Sequence, residues 1–121
     1  FGHDKTFDKK IRDNFLDDYK KAIKNDYDYW RDSAEECLAL IILLDQFSRN
    51  LFRSNSKAFA MDNKARLVAN HAIDKGYCDK LTNDQLIFIF LPFMHSEELT
   101  DQIYCGKLID AYLKKINKFR V

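Results

Sequence analysis

A chain of 121 residues is one domain by length, long enough to bury about two-thirds of its unfolded surface in a core without staples. With 46% hydrophobic residues, 10 Phe and 6 Tyr but only 1 Pro and 3 Gly, it lacks the turn chemistry of an all-β fold. The charge balance of 20 basic to 19 acidic residues, formally +1, offers no basic stripe for nucleic acid or an anionic membrane.

The first element is a helix over residues 6–26. Phe7, Ile11, Phe15, Tyr19, Ile23 and Tyr27 recur every four residues and stay on one broad face. Ser33-Ala-Glu-Glu36 then reads as a capping box opening a second helix that runs to Phe52. Its apolar run, residues 38–44, leaves no face for water, which makes this helix the central one. The run is far too short to span a bilayer, and no signal peptide opens the chain. After the loop Ser54-Asn55-Ser56, Asp62 is expected to cap a third helix that ends at Gly76, a natural left-handed residue. Ala65, Val68, Ala69, Ala72 and Ile73 form its inner face. A fourth helix starts at Thr82 or Asn83, carries Leu86, Ile87, Ile89, Phe90 and Leu91, and kinks or stops near Leu91 because of Pro92. Ser96 is the expected N-cap of a fifth helix, with Glu97 and Glu98 in its first turn. Leu99, Ile103, Leu108, Ile109, Tyr112, Leu113 and Ile116 are its apolar residues. Five helices without a convincing strand make the chain a single all-α domain.

Cys37, Cys78 and Cys105 form no CxxC pair, so they read as reduced core residues in a cytoplasmic protein. Polar side chains crowd where the central helix leaves its apolar run, in LALIILLDQFSRNLFR. At 100° per residue, Asp45, Arg49 and Arg53 form one ridge and Gln46 and Asn50 the next, all within an arc of about 140°. Two readings follow. In one, Asp45 and Arg49 are an i, i+4 pair, the amides cap neighbouring loops, and the set only stabilises the fold. In the other, the arginine forks hold a carboxylate or phosphate. Asp45, Asp62, Glu97 and Asp101 are internal alternatives to that anion.

His95, in LPFMHSEE, is the candidate catalytic residue, because a general acid or base would sit in such a setting and so would a loop-holding histidine. His71 reads as structural, and His3 falls at the terminus. No HxH or HExxH pattern supports a metal, no GxSxG or Gly-rich phosphate loop is present, and no cofactor is implied.

LALIILLDQFSRNLFR, KAFAMDNKARLVANHAIDKG and IFIFLPFMHSEELTDQ together resemble the bacterial family known as domain of unknown function 924. The likeness lies in Leu44 to Arg53, Ala58 to Ala65 and Leu91 to Gln102, with Trp30 and Phe7-Asp8 also in place. Ser48 and Ser54 stand where the family pattern has proline and glycine, and the chain is expected to lack a C-terminal segment of the family. The resemblance implies a tetratricopeptide-like array of antiparallel helical hairpins and no reaction. The expected function is a binding or interaction module for an anionic small molecule or peptide. Its surface comprises Asp45, Gln46, Arg49, Asn50, Arg53, Asp62, His95, Glu97, Asp101 and Gln102. The alternative is a hydrolase or lyase using His95, with Arg49 and Arg53 holding the substrate. A homodimer through exposed Phe and Tyr faces is a further expectation.

Overall fold

A computed structural model describes residues 5–52 and 55–113, with the backbone alone for residues 5–9, 11 and 12. The side chains of Phe7 and Ile11, and all of His3, Arg53, Ser54 and Ile116, therefore lie outside the described residues. The protein is all-α, and five helices account for the described chain. We label them α1 (Lys5–Ile23), α2 (34–51), α3 (Asp62–Asp74), α4 (Asn83–Met94) and α5 (Leu99–Tyr112). Short 3-10 turns join them. No described helix is long and apolar enough to cross a membrane.

Of the α1 stripe, Tyr19 is buried, whereas Phe15 and Ile23 stay more than a third exposed. The helix stops where Asn25 turns left-handed at φ 69°. Lys64 reaches back from α3 to the Ala22 carbonyl at 2.9 Å, to Asn25 Oδ1 and to Asp28 at 3.2 Å. The lysine thus adds a second donor to a carbonyl at the end of α1, which also accepts from Asn25 N at 3.3 Å.

α2 is the centre of the fold, packed on α3 and α4, with its middle turn against α1. Ser33 Oγ accepts from Glu36 N at 3.3 Å, as an N-cap should. The reciprocal half of the expected box is replaced, because Glu36 accepts from the Ser33 hydroxyl instead of reaching its amide. Cys37, Leu38, Leu40, Ile41, Leu43 and Leu44 are buried. Between Leu43 and Phe47 the helix widens into a π turn before resuming at Ser48. Ser48 Oγ, 2.7 Å from Leu44 O and 2.7 Å from the Tyr19 hydroxyl, competes for a helical carbonyl and ties the widened turn to α1.

α3 buries Ala65, Val68, Ala69 and Ala72 against α2, and these small side chains allow a close approach. It ends where Gly76 takes φ 77°, a left-handed conformation that glycine adopts without strain. The expected Asp62 cap is not formed. Asp62 is the first helical residue, after Met61, and its carboxylate is held by Arg49.

α4 opens with a full capping box. Gln85 N donates to Thr82 Oγ1 at 3.3 Å, and Thr82 N donates to Gln85 Oε1 at 2.9 Å. Replacing Thr82 with alanine should cost about 1 kcal/mol of unfolding free energy. A chemical denaturation pair read by circular dichroism would check this, and an unchanged midpoint would show the box to be ornamental. The helix passes the expected break at Leu91 and runs to Met94 with Pro92 inside it. Phe90, Pro92 and Phe93 are all buried there, which offsets the one helical hydrogen bond that proline cannot make.

α5 begins three residues beyond the expected cap. Ser96 is buried before the helix, and Glu98 is the N-cap. Cys105 and Leu108 supply its buried contacts, whereas the apolar Leu99 and Ile103 are 71% and 51% exposed. All three cysteines are buried thiols. Burial pushes Cys37 and Cys78 up to about 11, so neither is a thiolate at neutral pH.

Candidate functional site

Asp45 lies in the π turn with its carboxylate 2% exposed. A buried ionised carboxylate needs donors, and three side chains supply them. Arg49 Nη1 donates at 2.7 Å, Gln46 Nε2 at 2.7 Å, and His95 Nδ1 sits 3.1 Å away after 50 intervening positions of chain. Burial alone pushes the Asp45 carboxyl up. The His95 hydrogen bond and charge, then Arg49 and Gln46, outweigh that push, so it lies below the usual carboxylate range. An ionised carboxylate only accepts, which places the hydrogen of the His95–Asp45 bond on Nδ1. In neutral His95 the free lone pair is then on Nε2, which has no partner among the described residues.

Arg49 is shared. Besides Asp45 it grips Asp62 through both terminal nitrogens, Nη1 to Oδ1 at 3.0 Å and Nη2 to Oδ2 at 3.1 Å. This two-pronged geometry is the strongest an arginine makes with a carboxylate. The same guanidinium lies over the Phe59 ring, 5.5 Å from its centroid. Arg49 thus has internal carboxylate partners, Asp45 and Asp62, of the kind weighed against a ligand anion.

A cleft of about 380 Å³ lies beside this network. Arg49, Phe59, Asp62 and Arg66 line one wall, and residues 95–98 line the other. Arg66 comes from α3, one turn beyond Asp62. Its Nη2 donates to Asn63, its Nε stands 3.7 Å from Asp101, and Nη1 has no partner among the described residues. The wall from α4 to α5 is held rigidly. Ser96 Oγ donates to Asp101 Oδ2 at 2.6 Å and accepts from Glu98 N at 3.1 Å. Gln102 Nε2 ties down the carbonyls of Met94 at 2.8 Å and Ser96 at 2.6 Å.

The sequence-derived set is thus divided by the structure. Asp45, Arg49, Asp62 and His95 form one connected network, and Glu97 lines its cleft. Asp101 and Gln102 are the buttress of the far wall. Gln46 serves Asp45, Asn50 points into the buried interior, and Arg53 lies outside the described residues. Along the arc expected for Asp45, Gln46, Arg49, Asn50 and Arg53, Asp45 and Asn50 are buried while Gln46 and Arg49 are half-buried. Sequence reasoning missed Arg66, Phe59 and Glu98. Arg66 was within reach, since it follows Asp62 by four residues and so shares its helical ridge.

A second groove of about 240 Å³ lies between α1 and α2, lined by Phe15, Trp30, Ala39, Ile42, Phe47 and neighbouring residues. Trp30 is stacked on Tyr27 there at 4.1 Å. Its walls are apolar apart from Asp18, whose carboxylate accepts from the Tyr27 hydroxyl at 2.6 Å. Among the described residues no group of three or more His, Cys, Asp or Glu is placed to hold a metal ion.

Comparison with known proteins is consistent with this architecture. No curated protein matches the chain. A solved structure of a protein of unknown function from Agrobacterium tumefaciens, ATU0120, superimposes with a TM-score of 0.87 at 35% identity. The match covers 99% of this chain and 70% of that one. Residues 1–120 match the family described as bacterial protein of unknown function, DUF924, and the chain belongs to that family.

Proposed function

We propose that the domain is a binding module whose cleft takes a small carboxylate- or phosphate-bearing ligand, with Arg66 as its cation and His95 Nε2 as its hydrogen-bonding partner. One observation carries the reading. Arg66 Nη1 and His95 Nε2 belong to the same cleft, and neither has a partner among the described residues. Arg49 is engaged with Asp62 and Ser96 with Asp101, which leaves these two preorganised for something else. The volume suits a small ligand. Glu97 and Glu98 on the far wall favour a ligand that is not uniformly anionic. The tetratricopeptide-like array and the cytoplasmic setting belong to this reading, which the succession of helical pairs supports.

A second reading is favoured by the Asp45–His95 pair. A buried carboxylate orienting Nδ1 leaves Nε2 to take a proton from a bound hydroxyl or water, as a general base of a hydrolase does. Among the described residues no nucleophilic side chain of the cleft is free beside it, since Ser96 Oγ is engaged with Asp101 and Glu98. Water would be the attacking group.

The test is a thermal-shift screen against carboxylates and phosphorylated compounds, with Arg66→Gln in parallel. A ligand at a hundred times its dissociation constant should stabilise wild type by about 2.7 kcal/mol, a shift of several degrees. Loss of that shift in a normally folded Arg66→Gln protein supports the site. If no anionic compound moves the wild-type transition, the small-ligand reading fails.

A further inference from the structure

The cleft carries an aromatic side chain that the fold does not need for its core. Phe59 is 61% exposed, although it stands at the end of a 3-10 turn whose neighbour Ala58 is buried. An exposed phenylalanine on a loop usually wanders between rotamers. This one is covered by the Arg49 guanidinium, 5.5 Å from its centroid. That guanidinium cannot swing away, since Asp45 and Asp62 hold it from two directions. A planar cation over an aromatic ring is mutually attractive and fixes the ring's plane. Phe59 lines the same cleft as Arg66 and His95.

Resting on the ligand-binding reading above, we propose that the cleft selects an aromatic acid. A flat ring lies on Phe59, and the carboxylate or phosphate attached to it meets Arg66. Aromatic rings gain from offset stacking beyond the area they bury, and saturated rings of the same size do not. The clamped ring of Phe59 therefore acts as a specificity-determining surface, while the anion-binding groups supply the attachment common to many acids. Glu97 and Glu98 stand opposite, so they disfavour a second acidic group at that end of the ligand.

The experiment compares three probes by NMR titration of the full chain: phenyl phosphate, cyclohexyl phosphate and inorganic phosphate. Wild type should bind phenyl phosphate about fivefold more tightly than cyclohexyl phosphate. In Phe59→Leu, which keeps an apolar side chain at an exposed position and so leaves the fold intact, that preference should fall to less than twofold. Equal binding of the two organic phosphates by wild type, or an undiminished preference in Phe59→Leu, overturns the inference while leaving the anion site standing. If none of the three phosphates binds, the anion site itself falls and the inference with it.

Discussion

Asp45→Ala should lower the unfolding free energy by about 3–5 kcal/mol, the cost of removing one partner from a buried charged cluster. Its carboxylate is the acceptor for three donors at once, so its loss leaves His95 without its anchor and Arg49 with Asp62 and the backbone carbonyl of position 45. A surface i, i+4 pair of the same two residue types would be worth only about 0.3–0.5 kcal/mol. The size of the loss therefore separates a buried keystone from a solvated ornament, and a midpoint shift of roughly ten degrees or more is the expected signature. A loss under about 1 kcal/mol would mean that water already serves these groups.

The pH dependence has a definite sign. The folded Asp45 carboxyl lies below its ordinary value, held there by His95, Arg49 and Gln46 against the opposing effect of burial. A depressed folded value means that the stabilisation is complete above the unfolded value of about 4 and is lost as pH falls through the lower folded one. The stability gap between wild type and Asp45→Asn should be wide at pH 7 and close progressively below about pH 4. Urea titrations at stepped pH would measure that gap. A gap that widened on acidification would refute the assignment.

Phe93→Ala should be comparably severe, about 3–5 kcal/mol, because a fully buried aromatic side chain leaves a cavity that the core cannot close. Phe93 meets Tyr104 of α5 edge to face, with centroids 5.2 Å apart, two residues before His95. The truncation thus loosens the α4–α5 wall that aims the histidine. Its exposed neighbour supplies the control. Met94→Ala should change stability by less than about 0.5 kcal/mol. Thermal melts of the two variants side by side decide the matter, and equal losses would mean that the end of α4 is packed differently.

Much of this architecture was legible because it is local. Ser33, Gly76 and Thr82 mark helix ends through their own side chains or backbone freedom, so a few residues of context suffice. The inward face of α3 follows from helical spacing alone. The start of α5 was misjudged for a physical reason. Ser96 has the chemistry of an N-cap, but its hydroxyl is drawn to Asp101 and it remains in the connection before the helix. Leu99 and Ile103, apolar residues of this peripheral helix, stay exposed, because such residues need not all face inward. The residues of the site were largely readable, whereas their pairing was not. Nothing in the order of the chain announces that His95 meets Asp45, or that Arg49 divides itself between Asp45 and Asp62. Those contacts close loops of 50 and 13 residues, and only the packing of α2 against its neighbours sets them.

The π turn at Leu43–Phe47 makes this site sensitive to chain length as well as to chemistry. Helical residues ahead of the turn face the core through Leu40 and Ile41, and those after it present Arg49 to Asp62. The widened turn takes up about one residue more than an α turn while keeping both orientations. Deleting one residue there would close it to an ordinary α turn and leave both halves of α2 facing as they do, whereas a further added residue would swing Arg49 away from Asp62 by about 100°. In a lineage of such proteins, this stretch should lose one letter more readily than it gains one.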